Sequence, residues 1–110
     1  MKLAFTTLAC PNWSLEQVIN AAKRNGYEGL EFRMLNGELL PADVDQATRD
    51  RVRTQCRQAG LEIVCVDTSV RVATPDPDGR AAQIREGMAY LDIAAEWAAP
   101  FIRVFGGPPR

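Results

Sequence analysis

Hydrophobic residues along the chain follow two spacings, short apolar runs typical of strands and repeats of three to four residues typical of helices. The apolar runs begin near residues 2, 28, 61 and 101, and a helical repeat separates each run from the next. The first helix is predicted to begin after Ser14, because Gln17 stands at the capping-box spacing. Its apolar positions are Leu15, Val18, Ile19 and Ala22.

Two further helices are predicted after the second and third apolar runs. One extends from about Thr48 to Ala59, and a longer one from about Arg80 to Ala98. The helical repeat predicts the inner face of the longer helix, made of Ile84, Met88, Leu91, Ala95 and Ala98. Residues 34–47, between the second run and the middle helix, are interpreted as a polar linker.

Strands joined by single helices lie parallel to one another, with right-handed crossovers. The pattern therefore predicts an α/β fold of parallel strand–helix units, with four strands and three helices in a single domain over residues 1–110. Two architectures remain open, a small doubly wound sheet and part of a (β/α)8 barrel. Neither of the first two strand-to-helix turns contains a G-x-G-x-x-G or P-loop pattern, which disfavours a nucleotide-binding domain.

Charged residues stand near the ends of three predicted strands, on the faces that strand alternation assigns to them. In the second strand, Leu30 and Phe32 share one face. Glu31 and Arg33 share the other face. The same alternation applies to the two strands that follow.

The third predicted strand extends from Leu61 to Asp67 and places Asp67 on the side of Ile63 and Cys65. The fourth places Arg103 on the side of the two phenylalanines of FIRVF. An unpaired buried charge is unfavourable by several kcal/mol, so we expect these charges to meet one another, water or a ligand. Such a meeting point lies at the C-terminal ends of parallel strands in both architectures.

Composition excludes several kinds of site. The 110 residues include no histidine, so they contain neither a Ser–His–Asp triad nor a His-ligated zinc site. The net charge of −1 does not support a nucleic-acid partner or a membrane surface, and no apolar run reaches the roughly 20 residues of a membrane span. Three cysteines at no metal-ligand spacing, Cys10, Cys56 and Cys65, favour a reduced, cytoplasmic compartment.

Four segments of the chain form a series: KLAFT followed by PNWSLE, then GYEGLEFR, then GLEI, and finally AAPFIRVFGG. In this order and spacing they resemble the N-terminal half of a sugar phosphate isomerase/epimerase, a member of the xylose isomerase-like TIM barrel superfamily. The resemblance covers nearly the whole chain. It implies that the fold is the N-terminal half of a TIM (β/α)8 barrel, with strands one to four.

The resemblance also implies an enzyme that moves a proton between adjacent carbons of a sugar or sugar-like polyol with the help of a divalent metal, Mn, Mg, Co or Zn. A complete barrel takes about 250 residues. The chain is therefore expected to be a fragment that is inactive alone, with GGPPR as the start of a further loop. The resemblance places the metal ligands on later strands, so we expect no metal ligand and no catalytic residue in this chain.

Six residues are candidates for binding a small-molecule sugar or sugar phosphate: Glu31, Arg33, Asp67, Ser69, Arg103 and Trp13. Glu31 can accept hydrogen bonds from sugar hydroxyls. Arg103 can bind an anionic group or pair with a nearby carboxylate. Trp13 can form an apolar wall for the substrate or pack on the first helix. Cys65 is interpreted as a small buried hydrophobe, because no base is evident to activate it.

Two alternatives remain. One is a free-standing, non-enzymatic binding module of flavodoxin-like topology, whose usual length the chain matches. The other is a half-barrel that pairs with itself, since four strands from each of two copies would complete eight. A lone half-barrel leaves two sheet edges unpaired, so self-association is expected.

Overall fold

The computed structural model describes residues 3–106, which form a parallel sheet packed against three helices. The elements are, in chain order, β1 (Ala4–Thr6), a 3-10 turn (Thr7–Ala9), α1 (Leu15–Arg24), β2 (Gly29–Phe32), β3 (Met34–Leu35), β4 (Glu38–Leu39), α2 (Gln46–Gln58), β5 (Glu62–Arg71), α3 (Pro77–Glu96) and β6 (Phe101–Phe105). Lys2, where the first strand was predicted to begin, and residues 107–110 of the predicted final loop lie outside the described residues. No helix within residues 3–106 is long and apolar enough to cross a membrane.

The four strands of the main sheet lie in the order β1-β2-β5-β6, and every neighbouring pair is parallel. Each helix-connected strand is thus added beside the preceding one, as in a (β/α)8 barrel. A flavodoxin-like sheet instead places the second strand outside the first and the third strand beside the first. The prediction of parallel strand–helix units is confirmed, and the flavodoxin-like alternative is wrong.

Helix α1 forms as its sequence predicts. The Ser14 hydroxyl accepts a hydrogen bond from the Gln17 backbone N–H at 3.2 Å, and the Gln17 side-chain oxygen accepts one from the Ser14 N–H at 2.8 Å, which completes a capping box. The predicted inner face is buried against the sheet, with Leu15, Val18, Ile19 and Ala22 at 8% exposure or less. Helix α2 begins two residues and α3 three residues earlier than predicted, because Asp45 and Asp76 cap them.

The inner face of α3 differs from the predicted one. Ile84, Met88 and Leu91 have exposed fractions of 61%, 58% and 48%, and Ala95 and Ala98 are exposed too. The buried residues of the helix are instead Tyr90, Ile93 and Ala94. Because apolar residues occupy both sides of this helix, its periodicity cannot identify the side that packs on the sheet.

The predicted polar linker contains a small antiparallel hairpin, made of β3 and β4. Its turn is Asn36-Gly37, with backbone φ angles of 52° and 85°, as a type I′ turn requires. The Asn36 side-chain oxygen accepts a hydrogen bond from the Leu15 backbone N–H at 2.9 Å, which ties the hairpin to the start of α1. The Asn-Gly pair was therefore a hairpin signal in the sequence that the linker interpretation missed.

Candidate functional site

Three charged side chains from neighbouring strands meet near the C-terminal ends of the sheet, as the strand faces predict. Asp67 of β5 lies opposite Arg103 of β6 in the sheet register, and the Arg103 Nη2 lies 2.8 Å from the Asp67 Oδ2. The Arg103 Nη1 lies 3.9 Å from the Glu31 Oε2 of β2. We call Glu31, Asp67 and Arg103 the charged triad.

A bulge in β5 aligns the triad. Leu30 pairs with Ile63 but Glu31 pairs with Cys65, so β5 has one extra residue, Val64, at this point. The extra residue breaks the strict alternation along β5, and Ile63 joins the core on the helix-facing side. The prediction that Ile63 shares a face with Asp67 is therefore wrong, whereas Cys65 does lie beside Asp67.

The Asp67 carboxyl is the buried member of the triad, with a fully buried side chain. Burial and the nearby Glu31 carboxyl raise its pKa, and the Arg103 guanidinium only partly opposes this effect. The side chains of Glu31 and Arg103 keep exposed fractions of 24% and 55%. Glu31 and Arg103 are thus the triad members that a ligand can contact. The buried Asp67 carboxyl positions Arg103 through their ion pair.

Cys65 is part of this cluster, which corrects its interpretation as a buried hydrophobe. It is partly exposed, and its Sγ lies 3.6 Å from the Asp67 Oδ1 as a thiol donor. Burial and the two neighbouring carboxyls, Asp67 and Glu31, raise its pKa to about 12. The group therefore stays a thiol at neutral pH, in keeping with the expectation that it is not a nucleophile.

A second group of side chains lies beside the triad, around the ring of Phe105. The Arg33 Nη2 donates a hydrogen bond to the Ser69 Oγ at 2.9 Å, and its Cζ lies 5.8 Å from the centre of the Phe105 ring. The Arg71 Cζ lies 5.9 Å from the same centre. We call Arg33, Ser69, Arg71 and Phe105 the arginine pair site.

Arg71 was missed because the sequence predicts that the third strand ends at Asp67. The strand continues to Arg71, and its pairing shifts again, so that Asp67 lies opposite Arg103 and Arg71 lies opposite Phe105. Four residue steps in β5 thus match two in β6. The Thr68 hydroxyl donates to the Arg103 carbonyl at 2.8 Å within this irregular stretch. Nothing in the sequence marks the shift.

Thr7 positions the end of β2, and sequence reasoning missed this residue too. Its hydroxyl oxygen accepts hydrogen bonds from the backbone N–H groups of Arg33 and Met34, at 2.9 and 2.7 Å. The residue is 1% exposed. The hydroxyl satisfies two donors that follow the last paired residue of β2, and it fixes the point from which the Arg33 side chain leaves the sheet.

Trp13 does not join the other five candidates. It lines a separate groove between β1 and α1, with Leu3, Phe5 and Tyr27 among its neighbours. Trp13 lies in the loop before α1 and is 41% exposed. The structure therefore gives no support to Trp13 as a wall of the site formed by Glu31, Arg33, Asp67, Ser69 and Arg103.

Glu31, Cys65 and Asp67 each offer one ligand atom, and the three atoms lie within 4.8 Å of one another. A divalent metal nevertheless fits this set poorly. The Asp67 carboxylate is already paired with the Arg103 guanidinium at 2.8 Å, and a thiol with a pKa of about 12 loses its proton with difficulty. Thiolate and carboxylate ligands also favour different metals. Arg103 is the cation that balances these carboxyls.

Comparisons with known proteins agree with the architecture. Residues 19–110 match the family model described as xylose isomerase-like TIM barrel. No curated protein matches the chain.

Among solved structures, the chain is similar to the probable 3-DHS dehydratase AsbF of Bacillus anthracis, described as involved in petrobactin synthesis. The two share 19% sequence identity with a TM-score of 0.73, over 97% of this chain and 39% of that chain. The likeness at this identity is one of fold, and the chain spans well under half the length of that structure. The matched residues and the sheet order together show that the chain belongs to the xylose isomerase-like TIM barrel family.

Proposed function

We propose that the chain forms the front half of a sugar isomerase/epimerase-like enzyme, and that the charged triad is part of its substrate site. One observation carries the proposal: Glu31, Asp67 and Arg103 converge from three adjacent parallel strands at the strand ends. In barrels of this kind, substrates bind at the C-terminal ends of the strands. The family of the chain, which consists of such barrels, supports the same placement.

The proposed reaction transfers protons only and needs no oxidant. A base removes the proton from the carbon next to a carbonyl. In an isomerisation this proton returns to the former carbonyl carbon, while the hydroxyl proton of the first carbon passes to the former carbonyl oxygen. In an epimerisation the proton returns to the opposite face of the same carbon. Glu31 accepts a hydrogen bond from a substrate hydroxyl, and Asp67 positions Arg103. We assign the catalytic base and a divalent metal, Mn, Mg, Co or Zn, to later strands of a complete barrel, where the metal would polarise the carbonyl.

Deuterium exchange tests the proposal. The protein isolated from its own cells, and the 110-residue chain, are incubated with a panel of ketoses and aldoses in D2O with each metal, and proton NMR follows exchange at the carbon next to the carbonyl. We expect exchange by the cellular protein, none by the chain, and about tenfold weaker substrate binding for Glu31→Gln. Glu16→Gln, on the exposed side of α1, is the matched control. Elimination of water without exchange, or equal effects of the two substitutions, would contradict the proposal.

We also propose that the chain associates with a second copy of itself. In the described sheet, β1 and β6 are the edge strands, so a twofold axis along the barrel would pair β6 of one copy with β1 of the other in the parallel sense. The exposed stripe of Ile84, Met88 and Leu91 lines a groove with Ile102 and Val104 beside the β6 edge. Exposed apolar surface next to an open edge favours such pairing.

Sedimentation equilibrium tests this self-association. We expect a dimer, and we expect Met88→Glu to give monomers, since a buried carboxylate would lie in the contact. Glu substituted for Gln58, an exposed position at the end of α2, is the control. A wild-type monomer at all concentrations, or a dimer unaffected by Met88→Glu, would contradict the proposal.

A cytoplasmic location belongs to the same proposal. Cys10, Cys56 and Cys65 are free thiols in the structure, as a reducing compartment keeps them. Cell fractionation tests the location. Recovery of the protein outside the cytoplasm with these thiols oxidised would contradict it.

A further inference from the structure

The arginine pair site carries more positive charge than its surroundings balance. Within residues 3–106, no acidic side chain lies within ion-pair distance of Arg33 or Arg71, while Arg103 is paired with Asp67 and Glu31. In the described part of the chain, the Arg33 side chain has one hydrogen bond, to the neutral Ser69 hydroxyl. Both guanidinium groups therefore lie beside the ring of Phe105 without an ion-pair partner among the described residues.

The Phe105 ring explains how the two guanidiniums are held there. The Cζ of Arg33 lies 5.8 Å and the Cζ of Arg71 lies 5.9 Å from the ring centre, distances at which a cation is attracted to an aromatic face. This attraction positions the groups but does not neutralise them. Phe105 is 49% exposed, so a ligand can reach this residue and the arginines from solvent.

Other charged residues near the site do not cancel the positive charge of Arg33 and Arg71. Asp43 and Glu86 line a groove that also contains Ser69, and Arg85 lies in the same groove. Those two acids are therefore accompanied by a further arginine, and neither makes an ion pair with Arg33 among the described residues. Counted together, the three arginines Arg33, Arg71 and Arg85 and the two acids still leave a net positive charge.

We propose that Arg33 and Arg71 bind the anionic end of the substrate, a carboxylate or a phosphate carried by a sugar-like polyol. Guanidinium groups offer several N–H donors in a planar fork that matches the oxygens of both anions. Ser69 orients Arg33, and the Phe105 ring supplies an apolar floor. The polyol end of the same molecule would then lie over the charged triad, where Glu31 accepts its hydroxyl groups. This inference rests on the proposed function, because it assigns the substrate class of the same strand ends.

Binding of three probes to the 110-residue chain tests the inference: ribose 5-phosphate, gluconate and the neutral polyol sorbitol, each followed by calorimetry and by backbone NMR shifts. We expect at least one anionic probe to bind about tenfold or more tightly than sorbitol, and the stronger of the two identifies phosphate or carboxylate. Arg33→Gln and Arg71→Gln are each expected to weaken that probe about tenfold. Arg57→Gln, an exposed arginine that lines a groove with the start of β5, is expected to have no effect.

Equal affinity for anionic and neutral probes, no measurable binding of either anion, or an equal loss in Arg57→Gln would overturn the inference. Unchanged NMR spectra of the free variants show that a loss of binding is not a loss of fold. The two proposals fail separately. Anion binding at the arginine pair site without proton exchange by the cellular protein overturns the proposed reaction alone. Proton exchange that proceeds equally well on neutral sugars overturns the anion assignment alone.

Discussion

The two faces of the parallel sheet differ in what they contact. On the helix-facing side, Leu30, Phe32 and Val66 are 0% exposed and belong to the hydrophobic core. On the other side, β2, β5 and β6 present the charged triad, in which Glu31 and Arg103 are partly exposed and Arg103 is paired with both carboxyls. Neighbouring residues of β2 thus serve different purposes, because strand alternation sends them to opposite faces.

The residues that stabilise the fold therefore lie on one face of the sheet, and the charged residues of the candidate site lie on the other. The helix-facing side is completed by α1, α2 and α3, so its contacts lie within the described residues. The side opposite the helices, called the inward side, contains charged groups whose burial would be unfavourable if they were unpaired. Substitutions on the two faces should therefore change the free energy of unfolding by different amounts, and these changes should depend differently on pH.

The largest effect is expected on the helix-facing side. Phe32→Ala removes a fully buried ring whose centre lies 5.5 Å from that of Trp97, and should lower the free energy of unfolding by about 3–5 kcal/mol. Urea denaturation measures it. Phe101→Ala is the matched control, because Phe101 lies on the other face with 69% of its surface exposed, and should cost about 0.5 kcal/mol or less. Similar losses of stability in the two variants would show that the two faces of the sheet do not differ in their contribution to stability.

A smaller effect is expected from Thr7, which supports the inward side through the backbone. Thr7→Val leaves the N–H groups of Arg33 and Met34 without their acceptor, and should lower the free energy of unfolding by about 2–3 kcal/mol. Thr7→Ser keeps the hydroxyl and should retain most of the stability. Equal losses for Val and Ser would mean that packing, and not the hydroxyl, is the contribution of this residue.

The next prediction concerns the triad and depends on pH. Arg103→Gln removes the cation beside the buried Asp67 carboxyl, and should destabilise the chain by about 1–2 kcal/mol at pH 7. The pKa of Asp67 is already raised in the folded state, and loss of Arg103 raises it further. The folded state then holds the proton more tightly than the unfolded state, so the free energy of unfolding falls as pH rises above the ordinary value of 3.8 and through the folded pKa.

Urea denaturation of the Arg103→Gln protein at several pH values checks this sign. The loss relative to wild type should be greatest near neutral pH and should shrink as acid protonates Asp67. A loss that grows on acidification would mean that Arg103 does not balance that carboxyl.

The smallest effect distinguishes two cysteines on opposite sides of the sheet. The pKa of each thiol is raised to about 12, that of Cys56 by burial and that of Cys65 by burial together with the Asp67 and Glu31 carboxyls. Glu31→Gln removes one of these charges, so it should lower the pKa of Cys65 and leave Cys56 unchanged. Alkylation by iodoacetamide across a pH series, read at each cysteine by mass spectrometry, measures both. Parallel changes at the two thiols would refute the assignment of causes.

The sequence was sufficient for features that depend on local spacing. The capping box of Ser14 and Gln17 formed as predicted, since its partners are three residues apart. The opposite faces of Leu30 and Glu31 follow from alternation within one short regular strand. The sequence also predicts that Glu31, Asp67 and Arg103 meet, but the extra residue Val64 is what brings Asp67 to the face of Glu31.

Other features depend on long-range pairing, and the sequence alone could not predict them. Each irregularity of β5 appears only in its pairing with a neighbouring strand. The sequence therefore could not predict that Ile63 faces the helices or that Arg71 lies opposite Phe105. The inner face of α3 was predicted wrongly because both of its sides are apolar. The separate groove of Trp13 likewise depends on where the loop before α1 packs.

The pKa of the Asp67 carboxyl, followed by carbon-13 NMR in the wild type and in Glu31→Gln, tests the charged triad most directly. We expect a wild-type pKa above the ordinary 3.8 and a lower value in the variant, since Glu31 lies close enough to oppose ionisation of Asp67. Glu16→Gln, on the exposed side of α1, should leave the value unchanged. An Asp67 pKa at or below 3.8 that does not respond to Glu31→Gln would show that the strand ends do not bring these carboxyls together.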